Sequence, residues 1–339
     1  MAGVAQAVNM FGAPQAIDDE GVYVAQAWAI IHLHALAPYT YWYDHPPLGW
    51  IQLSLFDLLV LPFRSSQSAV AVGREAMLVV QLVNVVLLWT LARRLQVARW
   101  ATAAGIALFS LSPLAIQYHR SVYLDNIAVA WALLAFVLAL SPKRRLVAFA
   151  GAGLCLGVSS LSKETFLLLA PALGWQIWRT AGPIHRRYAI AAAGALLGAT
   201  LSLYVLYAAL KVELLPTAGH VSLWTGITYQ LFNRTSSGSV FTAGTLGHRT
   251  VELWLHLDWT WPVLAILAAP LGLMRRQARP ITSVFLLQVL MVLKPGYLPV
   301  PCVIGIMPFA ALVMAVGADT LWRSVLRGRL GLVAGSAGR

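Results

Sequence analysis

The chain has 339 residues, of which 59% are hydrophobic and 11% charged, with a mean hydropathy of +0.73. These shares exclude an ordinary soluble domain and make the lipid bilayer the solvent for most of the chain. The formal charge of +12 would suit nucleic acid, but the basic residues come as short clusters at the ends of apolar runs, the pattern of topology anchors, so membrane lipids and no nucleic acid are the expected partners.

The first seventeen residues hold neither a charged signal peptide nor a long apolar segment. Residues 22 to 37, with His32 and His34 in an otherwise apolar run, read as a helix lying on the membrane surface. Pro47 to Phe63 is apolar too, yet Asp57 in its middle would be costly at the bilayer centre, and counting the stretch as a span would invert every later loop. It reads as a helix in the outer leaflet. Spans are predicted near 75 to 94, 98 to 117, 124 to 140, 146 to 162, 165 to 178, 188 to 208, 260 to 274, 281 to 294 and 301 to 318.

Five basic clusters punctuate these runs: Arg93, Arg94 and Arg99; Lys143, Arg144 and Arg145; Arg179, Arg186 and Arg187; Arg275, Arg276 and Arg279; and Arg323, Arg327 and Arg329 with Arg339. The positive-inside rule places them in the cytoplasm. They hold 16 of the 24 basic residues, while 11 of the 12 acids fall on the other side and Asp319 alone stays inside. The expected architecture is an all-α integral membrane protein, a multi-pass helical bundle with about nine transmembrane helices and outer-face interfacial helices.

Four regions follow: a first extracytoplasmic loop at 1–74 carrying the interfacial helices and an acidic motif, a core bundle at 75–208, an extracytoplasmic loop at 209–258 rich in Thr, Ser, Gly and Trp, and C-terminal helices with a cytoplasmic tail at 259–339. Nine crossings put the N-terminus outside with nothing to carry it there, so the expectation is a further helix upstream, a misassigned start or an incomplete fragment. Cys155 and Cys302 lie inside apolar segments without CxxC or Cys/His spacing, which supports neither a disulfide framework nor a zinc site.

The outer side of this topology gathers four polar segments: Asp18-Asp19-Glu20-Gly21-Val22-Tyr23, Tyr43-Asp44-His45-Pro46-Pro47-Leu48-Gly49, His119-Arg120-Ser121-Val122-Tyr123-Leu124-Asp125-Asn126 and Ser162-Lys163-Glu164-Thr165. Each has a plain structural reading. Asp125 precedes an apolar run and suits an N-cap; Lys163 and Glu164 suit a pair at a break between spans; Arg120 suits an interfacial anchor; His45 before two prolines suits a rigid turn. Together they offer carboxylates that can activate a hydroxyl or bind a metal, and cations that can neutralise a phosphate, a mixture suited to moving a group from a phosphorylated carrier to a hydroxyl. A divalent metal stays open as a cofactor, but no spacing defines a ligand set.

Asp19-Glu20 followed by Tyr23, then Asp-His-Pro-Pro-Leu-Gly at 44–49, then an Arg and a Leu-Asp before the next helix, resembles the lipid-carrier-dependent glycosyltransferases of GT-C fold, and within them the protein O-mannosyltransferase and aminoarabinose transferase group. The likeness runs from about residue 18 to 175. It implies a multi-pass enzyme of the plasma membrane that moves a sugar from a polyprenyl-phosphate donor to an acceptor hydroxyl at the extracytoplasmic face, the acceptor being protein, glycan or lipid. By the same resemblance Asp19 is the general base and Glu20 its support, Asp44 and His45 stand beside the donor phosphate, Arg120 and Lys163 share its neutralisation with Glu164 next to them, and Asp125 orients the sugar or a cation. Val22 stands where some members have an arginine. A polytopic transporter, or a non-catalytic subunit that binds the lipid carrier, are the alternatives.

Overall fold

The computed structural model describes residues 2–37, 43–60, 68–143 and 145–336, without the side chains of Asp18, Val60 and residues 327–336. The expected end of the outer-leaflet helix at Phe63, the Arg144 anchor, the side chains of Arg327 and Arg329, and Arg339 lie outside it. All regular structure among the described residues is helical. In chain order the helices are α1 (Ala2–Ala7), α2 (Asp18–Leu33), α3 (Leu48–Val60), α4 (Ala69–Arg94), α5 (Arg99–Leu111), α6 (Pro113–Arg120), α7 (Leu124–Ala139), α8 (Leu146–Ser162), α9 (Ala170–Leu210), α10 (Leu223–Thr228), α11 (Leu246–Leu257), α12 (Thr260–Met274), α13 (Arg279–Leu293) and α14 (Val303–Ser336). A 3-10 turn, Glu164–Leu169, leads into α9.

Three helical stretches are long and apolar enough to cross a bilayer, Ala69–Arg94, Glu164–Leu210 and Val300–Leu326. Two bent pairs pass the same criterion jointly: α5 with α6, turned by 62°, and α11 with α12, turned by 95°. The chain is a multi-pass membrane protein. The span expected at 98 to 117 is thus corrected to a broken one. Ser112 is extended and Pro113 opens α6, because proline has no N–H to continue α5 and its ring would clash with the carbonyl one turn back. In α9 the break falls where the sequence leaves a gap: Gly182, at φ 80° and ψ 169° just before Pro183, kinks the element between the segments expected at 165 to 178 and 188 to 208.

α7 is the hub. Its 16 residues are fewer than the ~20 of a lipid-facing span, and it is buried on nearly every side among α4, α8 and α14. α8 and α9 approach closely because Gly153 and Gly157, four residues apart, face α9. A Cβ on Gly153 would lie 1.9 Å from the Ala193 carbonyl oxygen, and one on Gly157 would lie 2.6 Å from Thr200.

The two polar ends of the bundle differ in charge. At one end Arg275 bonds the Asp319 carboxylate at 2.6 Å and the Leu95 and Gln96 carbonyls at 2.9 and 2.7 Å. Arg323 bonds Asp319 and Gln96 as well, Arg94 donates to the Val137 carbonyl at the end of α7, and Arg179 donates to the carbonyl of Arg276. These contacts bring four of the predicted basic clusters together and use Asp319, the one acid among them. Asp19, Glu20, Asp44, Asp125, Glu164 and Glu213 lie at the other end.

Candidate active site

The site is assembled from α2, the turn before α3, the start of α7 and the break after α8. Asp19 and Glu20 occupy the first turn of α2, where negative charge favours the helix dipole. Their side chains part company. Asp19 is exposed, whereas Glu20 is 0% exposed and Arg74 of α4 only 2%. Arg74 grips the Glu20 carboxylate through Nε at 3.0 Å and Nη2 at 2.8 Å, and donates its Nη1 to the Met10 carbonyl at 2.9 Å. The same carboxylate accepts the backbone N–H of Val122 at 2.9 Å and of Ile17 at 3.3 Å. One side chain therefore ties the start of α2, and with it Asp19, to α4 and to the turn that leads into Asp125.

The break between α8 and the following 3-10 turn buries Lys163, which is 5% exposed. Its Nζ lies 3.0 Å from His45 Nε2 and 4.0 Å from Asp125 Oδ2. His45 Nδ1 lies 3.1 Å from Glu164 Oε2. An ammonium can only donate and a carboxylate can only accept, so these partners assign the His45 proton to Nδ1 and leave Nε2 as the acceptor for Lys163. His45 in this arrangement orients the lysine, and Lys163 is the cation. Asp125, buried on α7, has its Oδ2 without a hydrogen-bond partner. Behind this group Gln52 of α3 bonds Ser162 at 2.9 Å and accepts the Trp131 indole N–H at 2.5 Å, pinning α3 against α7 and α8.

Tyr23 stands between the two carboxylate groups of the site. Its ring is 6.2 Å from that of His45, and the charges of Lys163, Asp19, Asp125 and Glu164 all act on its hydroxyl. Burial, partly offset by Lys163, pushes that phenol well above its ordinary pKa. Asp44 faces outward from the same turn. Its carboxylate is 3.7 Å from His45 Nε2 and 3.8 Å from Arg234, and Gln230 donates to both its carbonyl and its side chain. The Arg234 guanidinium lies over the Tyr297 ring at 3.6 Å. Tyr43 donates to Glu213 at 2.5 Å; burial first, and then this bond to a carboxylate, raise its pKa far above the usual phenol value.

Of the residues expected from sequence, Asp44, His45, Asp125, Lys163 and Glu164 form one group, and Asp19 borders it through Tyr23. Glu20 is held in a buried ion pair beneath. Arg120 is not brought to Lys163. It faces the N-terminal segment, where it donates to the carbonyls of Ala5 and Ala13, and the charge that acts on it is that of Arg74. Among the described residues no group of three or more His, Cys, Asp or Glu is placed to hold a metal ion, and the donor set does not fit one: the Lys163 ammonium lies within the carboxylates where a cation would sit. Arg74, Glu213, Gln230 and Arg234 were not anticipated. The signal for two of them was present, since Arg74 and Arg234 belong to the eight basic residues left over from the five clusters.

Residues 44–210 match the model of the dolichyl-phosphate-mannose-protein mannosyltransferase family. The whole structure is similar to ArnT from Cupriavidus metallidurans bound to undecaprenyl phosphate, with a TM-score of 0.65 at 16% identity over 98% of this chain and 62% of ArnT. The chain has the GT-C fold. ArnT in its apo state matches this GT-C chain with a TM-score of 0.66 at 16% identity, covering 98% and 61%. The Archaeoglobus fulgidus oligosaccharyltransferase tethered to an acceptor peptide matches at 0.57 and 11% identity, covering 98% and 49%. No curated protein matches the chain in sequence. The chain spans about three fifths of the length of ArnT. The GT-C likeness extends past residue 175, where motifs cease, because helix packing persists where local sequence does not.

Proposed function

We propose that the chain is a membrane glycosyltransferase that moves a sugar from a polyprenyl-phosphate donor to an acceptor hydroxyl on a protein, glycan or lipid, with its acidic end at the extracytoplasmic face of the plasma membrane. The observation that carries this reading is the buried Lys163, ringed by His45, Asp125 and Glu164 and bordered by the exposed Asp19. A single fixed cation in an apolar surround is worth far more to a developing phosphate charge than the same cation in water. The match to the mannosyltransferase family model and the undecaprenyl phosphate in the ArnT structure support a lipid carrier. The basic clusters at the opposite end support the orientation by the positive-inside rule.

In the proposed step the acceptor oxygen attacks the anomeric carbon, the bond from that carbon to the phosphate oxygen breaks, and the polyprenyl phosphate leaves with the electron pair. Asp19 takes the proton of the acceptor hydroxyl. Lys163, held by His45, meets the charge on the leaving phosphate, and Arg234 beside Asp44 supplies a second cation at the open side. Asp125 orients the sugar hydroxyls or the lysine. Glu20 and Arg74 are positioning residues, and Arg120 secures the N-terminal segment. Asp19→Asn tests the assignment: sugar transfer is lost while the variant still binds the polyprenyl-phosphate sugar. Transfer by Asp19→Asn at the parental rate would remove Asp19 from the chemistry.

A further inference from the structure

The segment between α9 and α11 meets the site with some of its side chains and leaves others bare. α10 and the π turn that continues it, Tyr229–Asn233, press Gly226 against the Tyr43 carbonyl so closely that a Cβ there would lie 2.7 Å from the oxygen. One turn on, Gln230 bonds Asp44. Trp224, Leu231 and Phe232 of the same short segment stand exposed, Phe232 at 78%. In water such a cluster of large apolar side chains is a liability, and on a soluble surface it marks a binding site.

The occupant follows from what lies next to it. Leu203, Leu206 and Leu210 are exposed at three- and four-residue spacing along the last turns of α9, the lipid-facing stripe of a span. Backbone bonds from Leu223 N to the Glu213 carbonyl at 2.8 Å, and from Trp224 N to the Leu214 carbonyl at 3.2 Å, fasten the start of α10 beside the end of that span. The bare aromatic residues thus continue the membrane-facing surface at the level where the span ends. Lys211 there extends over the Tyr207 ring with its ammonium 5.3 Å from the centroid, and tryptophan, tyrosine and lysine at a span end are the composition of the headgroup zone.

We propose that residues 223–233 are seated in the headgroup region of the bilayer, so that lipid on their exposed side chains holds Gly226 and Gln230 against Tyr43 and Asp44. The bilayer then serves as one jaw of a clamp on the turn that carries His45. The surface stands independently of the transferase reading, since it requires only a membrane protein.

The test uses the full chain in nanodiscs of phosphatidylcholine and phosphatidylglycerol, with an environment-sensitive NBD probe on Phe232→Cys. Phe232 is too exposed for this change to disturb the core. The proposal expects blue-shifted emission and loss of intensity when the lipid carries a spin label high on its acyl chain. A second measurement, backbone hydrogen exchange, expects Trp224→Ser with Phe232→Ser to speed exchange both at 223–233 and at Tyr43–His45. Water-like emission indifferent to the spin label overturns the proposal. So does a blue shift that disappears when each disc holds one copy, which would put a second chain on this surface, and so does unchanged exchange at Tyr43–His45.

Discussion

Arg74→Met attacks the pair that fixes the start of α2. It removes two charge-assisted bonds to Glu20 and one to the Met10 carbonyl, and it leaves a fully buried carboxylate with only the N–H groups of Val122 and Ile17. Removing one partner of a buried pair costs about 3–5 kcal/mol, because the remaining charge has lost both water and counter-charge. Against a typical total of about 5–15 kcal/mol that is roughly a fifth of the stability at the least. Adding Glu20→Gln to Arg74→Met neutralises the stranded carboxylate, and the one amide oxygen keeps an acceptor for one of the two N–H groups, so the double variant recovers roughly 1–3 kcal/mol of the loss. Equilibrium unfolding in mixed micelles, followed by far-ultraviolet circular dichroism, measures Arg74→Met, Glu20→Gln and the double variant in one cycle. A cost below about 1 kcal/mol for Arg74→Met, or a double variant less stable than the single one, refutes the reasoning.

Lys163→Met is expected to lower the rate of donor cleavage by about 10²-fold or more in a single-turnover assay, since it removes the one cation ringed by His45, Asp125 and Glu164. Arg120→Gln, by contrast, is expected to leave donor Kd at the parental value and to loosen residues 2–14, seen as faster hydrogen exchange there, because its bonds go to Ala5 and Ala13. Gly153→Ala forces α8 and α9 apart at the Ala193 carbonyl and is expected to cost about 1–3 kcal/mol or more, read as a lowered unfolding midpoint, while Gly194→Ala, with open space around its Cβ, is expected to cost nothing measurable. Asp319→Asn cuts the charge that joins Arg275 and Arg323. Because both arginines keep contact with solvent, the expected loss is about 1.5–3 kcal/mol, checked by the same unfolding assay.

Long-range order was legible where it rests on composition along the chain. Apolar runs marked the helices, although among the described residues three stretches, or five counting the bent pairs, and not nine, are long and apolar enough to span. Four of the five basic clusters share an end, as the bonds of Arg275, Arg323 and Arg179 show in space. The gap between the segments expected at 165 to 178 and 188 to 208 coincides with the Gly182-Pro183 break, whereas the span expected at 98 to 117 ran through Pro113, where the chain turns by 62°. Site residues within a motif and its immediate helix start came together, as His45, Asp125 and Lys163 did. What stayed hidden is pairing across great separations. Glu20 reads as a support to Asp19, but no motif announces Arg74, 54 residues away, which holds its carboxylate. Arg120 reads as a phosphate ligand until the N-terminal segment offers it carbonyls. Arg234 reaches Asp44 from a loop with no motif of its own, so no local pattern could assign it a partner.

The central claim, a lipid-carrier-dependent glycosyl transfer, is tested most directly by the release of free polyprenyl phosphate from a panel of polyprenyl-phosphate sugars, using membranes that contain the chain or its Asp19→Asn variant and supplied with candidate acceptors. The account predicts release from at least one donor by the parent and none by the variant. Passage of an intact substrate across sealed vesicles by the folded, inserted chain, with no polyprenyl phosphate released from any donor, would contradict it.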